Sequence, residues 1–560
     1  MLKDIDWIKA SLLAGMGICV LLLLREWDNF SPPNSIDYPA AEGQQGIEPT
    51  VISLDDETPF SSPAQPLQDV ETAPLQTPQN VAAAISSNTI KIKTDVLELV
   101  VDLNGGNFIQ ADLIEFHQAL NNDTPFRMLS HSTSHTYVAK SGLLLNQGQA
   151  FSPLSPNYQA SAESFELAPG QDKLIVELVS QTADFQLVKR LTLKRGDYLI
   201  DVEHQLQNKT NQSWQGALFA QIDRDDLRPP SNTGFGMKPY VGAAVTQPDD
   251  RYNKIDFDDM DEPLNPSSVE TGWVALLQHY FVSAWIPSKD QSLKYELGQY
   301  AGKNLYYLGF TQPAFEIPAG GQTNFDASFY VGPKDQYRLQ EISNNLDLTV
   351  DYGWLWWAAQ PLYWVLQKVH SFTGNWGVAI ILLTCLIKLL FFPLSAASYK
   401  SMARMRKLTP KMQALKERYG DDRQTLSQET MKLYQKEKVN PLGGCLPILI
   451  QMPIFLALYW VLIEAVELRH APFIGWIQDL SAKDPWYLLP ILMGLSMMVQ
   501  MRLNPAPPDP MQAKVMQFMP IMFAVMMAFF PAGLVLYWTV NNLLSITQQW
   551  VITRRIEAGG

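Results

Sequence analysis

Lys388 lies in the stretch LLTCLIKLLFFPL, Leu382 to Leu394, with only apolar residues within three positions on either side. A helix of that composition has no polar face for an ammonium, and at the centre of a bilayer-spanning helix the charge costs a few kcal/mol or more. The chemistry such a group offers is attraction of an anionic partner. Thr384 lies one helical turn earlier on the same face. Other polar residues interrupt the later apolar stretches: Gln451, Gln500, Gln517, Asn541, Asn542, Gln548 and Gln549. Polar groups in spans face a bundle interior or a water-filled cavity. Most of these sit toward one end of their stretches, which predicts a wet cavity open to cytoplasm and lipid with Lys388 as its charge. The alternative is snorkelling: Pro393 follows five residues later, roughly 7.5 Å at helical rise, within reach of headgroups for a long stem.

Elsewhere the candidates for chemistry are weaker. The acidic clusters IDRDD (Ile222–Asp226) and DFDDMDE (Asp256–Glu262) contain carboxylates for calcium, but the second lacks the Gly and terminal Glu of an EF-hand loop. Both read as solvated acidic loops. His204, on the apolar face of an alternating segment, reads as a satisfied core histidine. The three cysteines are Cys19, Cys385 and Cys445, none between residues 28 and 352, so no disulfide framework is available there. No nucleotide-binding loop is present. The reading is of a protein that is not an enzyme and takes no cofactor and no metal.

The elements that must position Lys388 are apolar spans. Trp7–Leu24 follows Lys3 and lacks a small-x-small cleavage site, so it reads as an uncleaved signal anchor. Cys19 follows Met-Gly-Ile, a poor lipoprotein site. Five further stretches, Trp376–Phe392, Leu446–Ile463, Trp486–Met501, Val515–Phe530 and Leu534–Val551, bring the expected crossings to six. They are slightly shorter than the ~20 residues a typical bilayer asks for. Charge sets the orientation. Residues 28–352 hold 42 acidic and 20 basic residues, whereas residues 394–445 hold 11 Lys/Arg against 5 Asp/Glu. Positive segments stay inside, which places both termini and 394–445 in the cytoplasm and 28–352 outside. The expected division is a signal-anchor helix at 1–27, a Pro/Ser/Gln-rich tether at 28–80, an exported domain at 81–350, an interfacial helix at 351–375 and a five-span core at 376–560.

Within 81–350 the hydrophobic period is two. Ile200, Val202, His204 and Leu206 share one face of YLIDVEHQL, and Phe325, Ala327, Phe329 and Val331 one face of NFDASFYVG. Such alternation predicts half-buried antiparallel strands and an all-β sandwich. GWLWWAAQPLYWVLQKVHSF, Gly353 to Phe372, carries the aromatics of a helix lying at the headgroup level. Segment 394–445 reads as a helical hairpin bent at Pro410. Its seam is Met402, Met405, Leu408, Met412, Leu415 and Tyr419, with Asp422 capping the second helix. The outer face, with Arg404, Arg406, Lys407 and Lys411, suits ribosomal RNA or anionic lipid.

Three ordered stretches, FFPLSAASYKSMARMRKLTPKMQALKERYGDD, KVNPLGGCLPILIQMPIFLALYWVL (Lys438–Leu462) and FMPIMFAVMMAFFPAGLVLYWTVNNLLSITQQ, closely resemble the YidC family of bacterial membrane protein insertases. DLTVDYGWLWW and GWVALLQHYFVSAWIP are similar to its Gram-negative members, which carry a large periplasmic β-sandwich. The resemblance implies a polytopic α-helical bundle of six transmembrane helices with a five-helix insertase core. It implies insertion of nascent membrane proteins, alone or beside the Sec translocon, in the bacterial inner membrane. A hydrophilic groove would hold one positive charge that attracts the acidic exported part of a client while its apolar segment slides along the third and fifth spans. The family's groove charge is usually arginine; Lys388 at the matching position keeps a point charge but not the bidentate fork. Thr384, Gln451 and Trp538 match groove positions, with Trp538 where a Tyr is often found. Partners implied are client chains, Sec, the bilayer and a ribosome contact, with no DNA. A secondary transporter with Lys388 in its substrate site is the competing class, but it usually shows two related halves, and no repeat is visible. A membrane-anchored sugar-binding sandwich would leave five spans without a purpose.

Overall fold

The computed structural model describes residues 88–558, apart from 147–150, 229–238, 248–249, 263, 265–267, 270, 288–291, 421, 438–445 and 505–509. The expected anchor at Trp7–Leu24 and tether lie outside the described residues. The described chain has a β-sandwich followed by a helical half.

Two mostly antiparallel sheets, of twelve and nine strands among the described residues, face one another. The period-two segments are their inner faces. In strand Leu199–Asn208, Ile200, Val202, His204 and Leu206 are buried, while Leu199, Asp201 and Glu203 are half-buried. It pairs with Phe185–Lys194 on one side and Gln322–Pro333 on the other, which places Lys189, His204 and Phe325 in one cross-strand row. Lys189 is therefore inside, in phase with Leu187 and Leu191, and is fully buried. Its ammonium donates to the Gly106 carbonyl at 2.7 Å and to Ser141 Oγ at 3.0 Å from the opposite sheet. Ser141 Oγ also meets His204 Nε2 at 3.2 Å, whereas His204 Nδ1 has no hydrogen-bond partner. The expected core histidine is thus only half satisfied. Gly106, at φ +68°, permits the approach: a Cβ there would stand 3.0 Å from both Lys189 Cδ and the Tyr158 ring.

The acidic clusters part company. Ile222–Arg224 closes strand Trp214–Arg224 and is buried, with Asp223 paired to Lys140 at 2.7 Å. Asp225 receives the Thr136 N–H at 2.7 Å and contacts the His135 ring. IDRDD is therefore a strand end pinned by an ion pair and by hydrogen bonds, not a solvated loop. In DFDDMDE, a single 3₁₀ turn buries Phe257 and Met260 and leaves Asp256, Asp258 and Asp259 exposed.

The sandwich passes into the helical half through α1 (Gln336–Ile342), capped by the Asp335 carboxylate, and two 3₁₀ turns. Then follow α2 (Trp356–Thr373), α3 (Trp376–Leu390), α4 (Phe392–Tyr419), α5 (Arg423–Lys436), α6 (Leu446–Glu464), α7 (Leu488–Leu503), α8 (Pro510–Met527) and α9 (Ala532–Ala558). Among the described residues no single helix is long and apolar enough to cross a membrane by itself. The α3–α4 pair, bent by 68°, meets that measure jointly. Gly374 in the left-handed region (φ +64°) stops α2, and Asn375 then caps α3 through the Val378 N–H at 3.0 Å. Helix α2 runs through Pro361, buries Ala359, Tyr363 and Leu366, and turns Trp356, Trp357 and Trp364 outward. Helix α4 likewise runs through Pro410. Its Met/Leu stripe is half-buried or buried, with Tyr434 of α5 donating to Met412 Sδ at 3.3 Å, as a hairpin seam requires. Asp422 caps α5 through the Gln424 and Thr425 N–H groups.

A polar junction joins sandwich to helices. Lys334 and Glu464, both almost fully buried, stand 3.7 Å apart. His279 Nε2 donates to the Ile463 carbonyl at 2.9 Å; burial, reinforced by Lys334, pushes its pKa down to about 3, so the ring is neutral. Arg469 donates to the His117 and Gln118 carbonyls and lies over the Phe126 and Phe281 rings. Tyr363 of α2 donates to Glu467 at 2.6 Å.

Two predictions follow from these buried charges. Desolvation lowers the Lys189 pKa to about 7 in the folded protein, whereas the unfolded chain holds the proton to its ordinary value near 10.5. Between those values the unfolded state binds more protons, so stability rises with pH from about 7 to 10.5. Lys189→Met should flatten that rise in thermal melts of the purified protein, an unchanged slope meaning that another group titrates. At the junction, Lys334→Met alone leaves Glu464 buried and unpaired, at a cost of about 3–5 kcal/mol. The pair Lys334→Met with Glu464→Leu should recover most of the loss in the same assay; equal or additive losses would mean the two charges are not coupled.

Candidate functional site

Lys388 occupies the last turn of α3, and only 9% of it is exposed. Ile387, Lys388, Phe391, Leu394 and Ser395, at the bend between α3 and α4, face Gln451 and Ile454 of α6 across a small cavity. The bend turns the chain sharply after Leu390 and so brings Ser395, one turn into α4, to the same cavity as Lys388. On the far side Nζ donates to Ser545 Oγ of α9 at 2.8 Å. Among the described residues no carboxylate pairs with Lys388. The cavity therefore has one buried positive charge, an amide and a hydroxyl in an otherwise apolar lining, which suits reception of an anionic or strongly polar chain segment.

The sequence-predicted residues divide. Lys388 and Gln451 share the cavity. Thr384 is buried, and its hydroxyl donates to the Ile380 carbonyl of its own helix at 2.7 Å, so it faces the backbone and not the ammonium. Gln451 donates to the Tyr537 hydroxyl. Trp538, one position on, packs edge-on against Phe455 with ring centres 4.6 Å apart and beside Phe523. The polar neighbour of Gln451 is thus Tyr537, while Trp538 serves the α6–α8–α9 contact. Of the remaining polar set, Asn542 donates to Ser496 of α7 at 3.2 Å, and Gln549 donates to Leu503 O and Asn504 Oδ1. These tie α9 to α7. The side-chain oxygens of Asn541, Gln548 and Gln549 are buried without a hydrogen-bond partner. Sequence reasoning missed Ser395, Tyr537 and Ser545; for Ser545 the signal was its place one turn after Asn541 on a helix already rich in amides.

On α4, Arg404, Arg406 and Lys407 are exposed, and Lys411 is paired with Glu437 at 2.6 Å. One of the four expected contact charges is therefore already neutralised within the hairpin.

Comparison with known proteins supplies the family. Residues 89–365 match the family described as YidC periplasmic domain, and residues 368–559 the family described as 60Kd inner membrane protein. "Membrane protein insertase YidC" of Cellvibrio japonicus (strain Ueda107) is 48% identical over 553 residues, covering 99% of each chain. The chain belongs to the YidC family of membrane protein insertases. The protein of that same description from Pseudomonas paraeruginosa (strain DSM 24068 / PA7) is 47% identical over 579 residues, covering 98% of each chain. A crystal structure described as an active YidC insertase with the first transmembrane domain resolved covers 83% of this chain and 92% of its own, at 20% identity and a TM-score of 0.37. The family's two matched regions meet between residues 365 and 368, inside α2. In this YidC-family chain the helix with the outward tryptophans therefore spans the join between the two regions.

Cavity lining has a direct readout. In membranes, Gln451→Cys should react with a small water-soluble maleimide about ten-fold faster than Thr384→Cys, because reactivity follows thiol exposure. Equal rates would place Thr384 in the cavity after all.

Proposed function

We propose that this chain inserts membrane proteins by receiving the polar, often acidic, exported segment of a client at Lys388. Meanwhile the client's apolar segment slides along α6 and α8. The observation that carries the reading is a buried ammonium without a carboxylate partner among the described residues, set in a cavity between α3, α4 and α6. A protein that needed this cation only for stability would have paired or replaced it, since an isolated buried charge is expensive. A client carboxylate supplies the missing partner: at about 4 Å and an effective dielectric near 20, the attraction is on the order of 4 kcal/mol. Val515, Phe518, Ile521, Met522 and Val525 leave an apolar face of α8 exposed, and Met452 does so on α6, which suits passage of an apolar client segment.

In this reading the helices α3, α6, α7, α8 and α9, with the anchor at 1–27, make six crossings of the bacterial inner membrane. The acidic residues 28–352 are periplasmic and the basic hairpin cytoplasmic, by the charge asymmetry of the sequence. Helix α2 lies at the periplasmic headgroup level, with Trp356, Trp357 and Trp364 toward lipid. No nucleotide is needed. Moving one charge through 100 mV supplies about 2.3 kcal/mol, and the cavity shortens the path a polar segment takes through lipid. The Sec translocon, for larger clients, and a ribosome or anionic-lipid contact at Arg404, Arg406, Lys407 and Lys411 complete the set of partners. Thr384 and Trp538 act behind the cavity wall, through packing.

The test is insertion of a small client with an acidic exported tail. Lys388→Glu should abolish it, because attraction becomes repulsion, whereas Lys388→Arg should retain most of it. Equal insertion by all three forms at matched abundance would sink the electrostatic role. A solute taken up by purified protein in liposomes, with Lys388 required, would instead make the chain a transporter.

A further inference from the structure

We infer that Ser545 is a positioning residue for the Lys388 ammonium, the hydroxyl that fixes where the cavity's point charge stands; the inference rests on the reading of Lys388 as the client-receiving charge. Ser545 is 3% exposed, on the face of α9 turned toward the α3–α4 bend. A serine hydroxyl has one proton to give and two lone pairs to accept with. Ser545 Oγ donates to the Asn541 carbonyl at 2.7 Å and accepts from Lys388 Nζ at 2.8 Å. One oxygen thus ties Lys388 of α3 to the backbone of α9.

The lysine stem has four methylene groups and no planar fork to restrict its head. Left alone, it samples many rotamers, including those that carry the ammonium out toward headgroups. The bond to Ser545 draws Nζ toward α9 and keeps it in the cavity, opposing the snorkelling path. One of the three ammonium donors is used this way, and among the described residues no carboxylate competes for the others. They remain for the client. A guanidinium would span two acceptors by itself; a single hydroxyl is the matching partner for a point charge.

The experiment compares two clients identical except for an acidic or a neutral exported tail. Each is inserted by full-length Ser545→Ala, Ser545→Thr, Lys388→Gln and the Ser545→Ala/Lys388→Gln double variant, with yields normalised to protein abundance in the membrane. Ser545→Ala should lower the acidic-to-neutral insertion ratio about five-fold, the effect of losing one ordinary hydrogen bond. Ser545→Thr, which keeps the hydroxyl, should restore the ratio. In the Lys388→Gln background Ser545→Ala should change nothing further, since its effect passes through the ammonium. A loss equal for both tails, or one that persists without the lysine, would make Ser545 a packing residue and overturn the inference. If Lys388→Gln collapses the ratio while Ser545→Ala leaves it intact, the inference alone fails. If Lys388→Gln leaves the ratio intact, the reading of Lys388 fails and takes the inference with it.

Discussion

Three helices of the helical half, α3, α4 and α9, pack about a buried cation that has no anion beside it among the described residues. Burial of an ammonium is costly in any low-dielectric setting, and the cost falls only if hydrogen bonds or an opposite charge replace water. Here the chain supplies part of that replacement, through Ser545, and leaves the rest open to the cavity lined by Gln451 and Ser395. The bend between α3 and α4 follows from the same constraint. A straight continuation past Leu390 would carry Ser395 away from the Lys388 cavity, whereas the 68° turn sets α4 against α9.

The sandwich solves a similar problem in the opposite way. Lys189 is as deeply enclosed as any residue of that domain, yet its ammonium is held by the carbonyls of Gly106 and Ser141 and by the Ser141 hydroxyl. Lysine donors are thus fully taken up within the protein in one half and only partly in the other. The contrast separates a charge bonded on all sides by the facing sheet from one that keeps donors for the partner proposed above, and burial alone would not have distinguished them.

What the sequence revealed follows the same physics. Alternation marked the inner faces of Leu199–Asn208 and Gln322–Pro333 because a two-residue period leaves no doubt about phase once four positions agree. The same parity puts Lys189 in phase with Leu187 and Leu191, a buried position that its residue type alone does not suggest. The IDRDD segment was misjudged for a like reason: a run of acids reads as solvent-facing unless the pairing of Asp223 with Lys140, 83 positions earlier in the chain, is known. In the helices, composition picked out Lys388 and Gln451. Trp538 came from the family resemblance instead, and the polar neighbour that the structure gives Gln451 is the adjacent Tyr537, about 100° away around the helix. Ser545 carries no signal by itself, because a small hydroxyl in an apolar helix is common and its value depends on what the neighbouring helices bring to it. Thr384, with the same functional group, bonds its own backbone instead.

The polar junction at the end of α6 has a mechanical meaning. Gln451, at the cavity, and Glu464, clasped to Lys334 of the sandwich, stand on one helix, 13 residues and so roughly 20 Å apart. Ile463 and Arg469 on either side are bonded to sandwich residues as well. Pro453, two residues from Gln451, removes a backbone donor from the first half of the same helix and is the natural place for it to flex. The sandwich and the cavity are thus joined through one helix, held to the sandwich at its Glu464 end and interrupted by Pro453 at the end that carries Gln451.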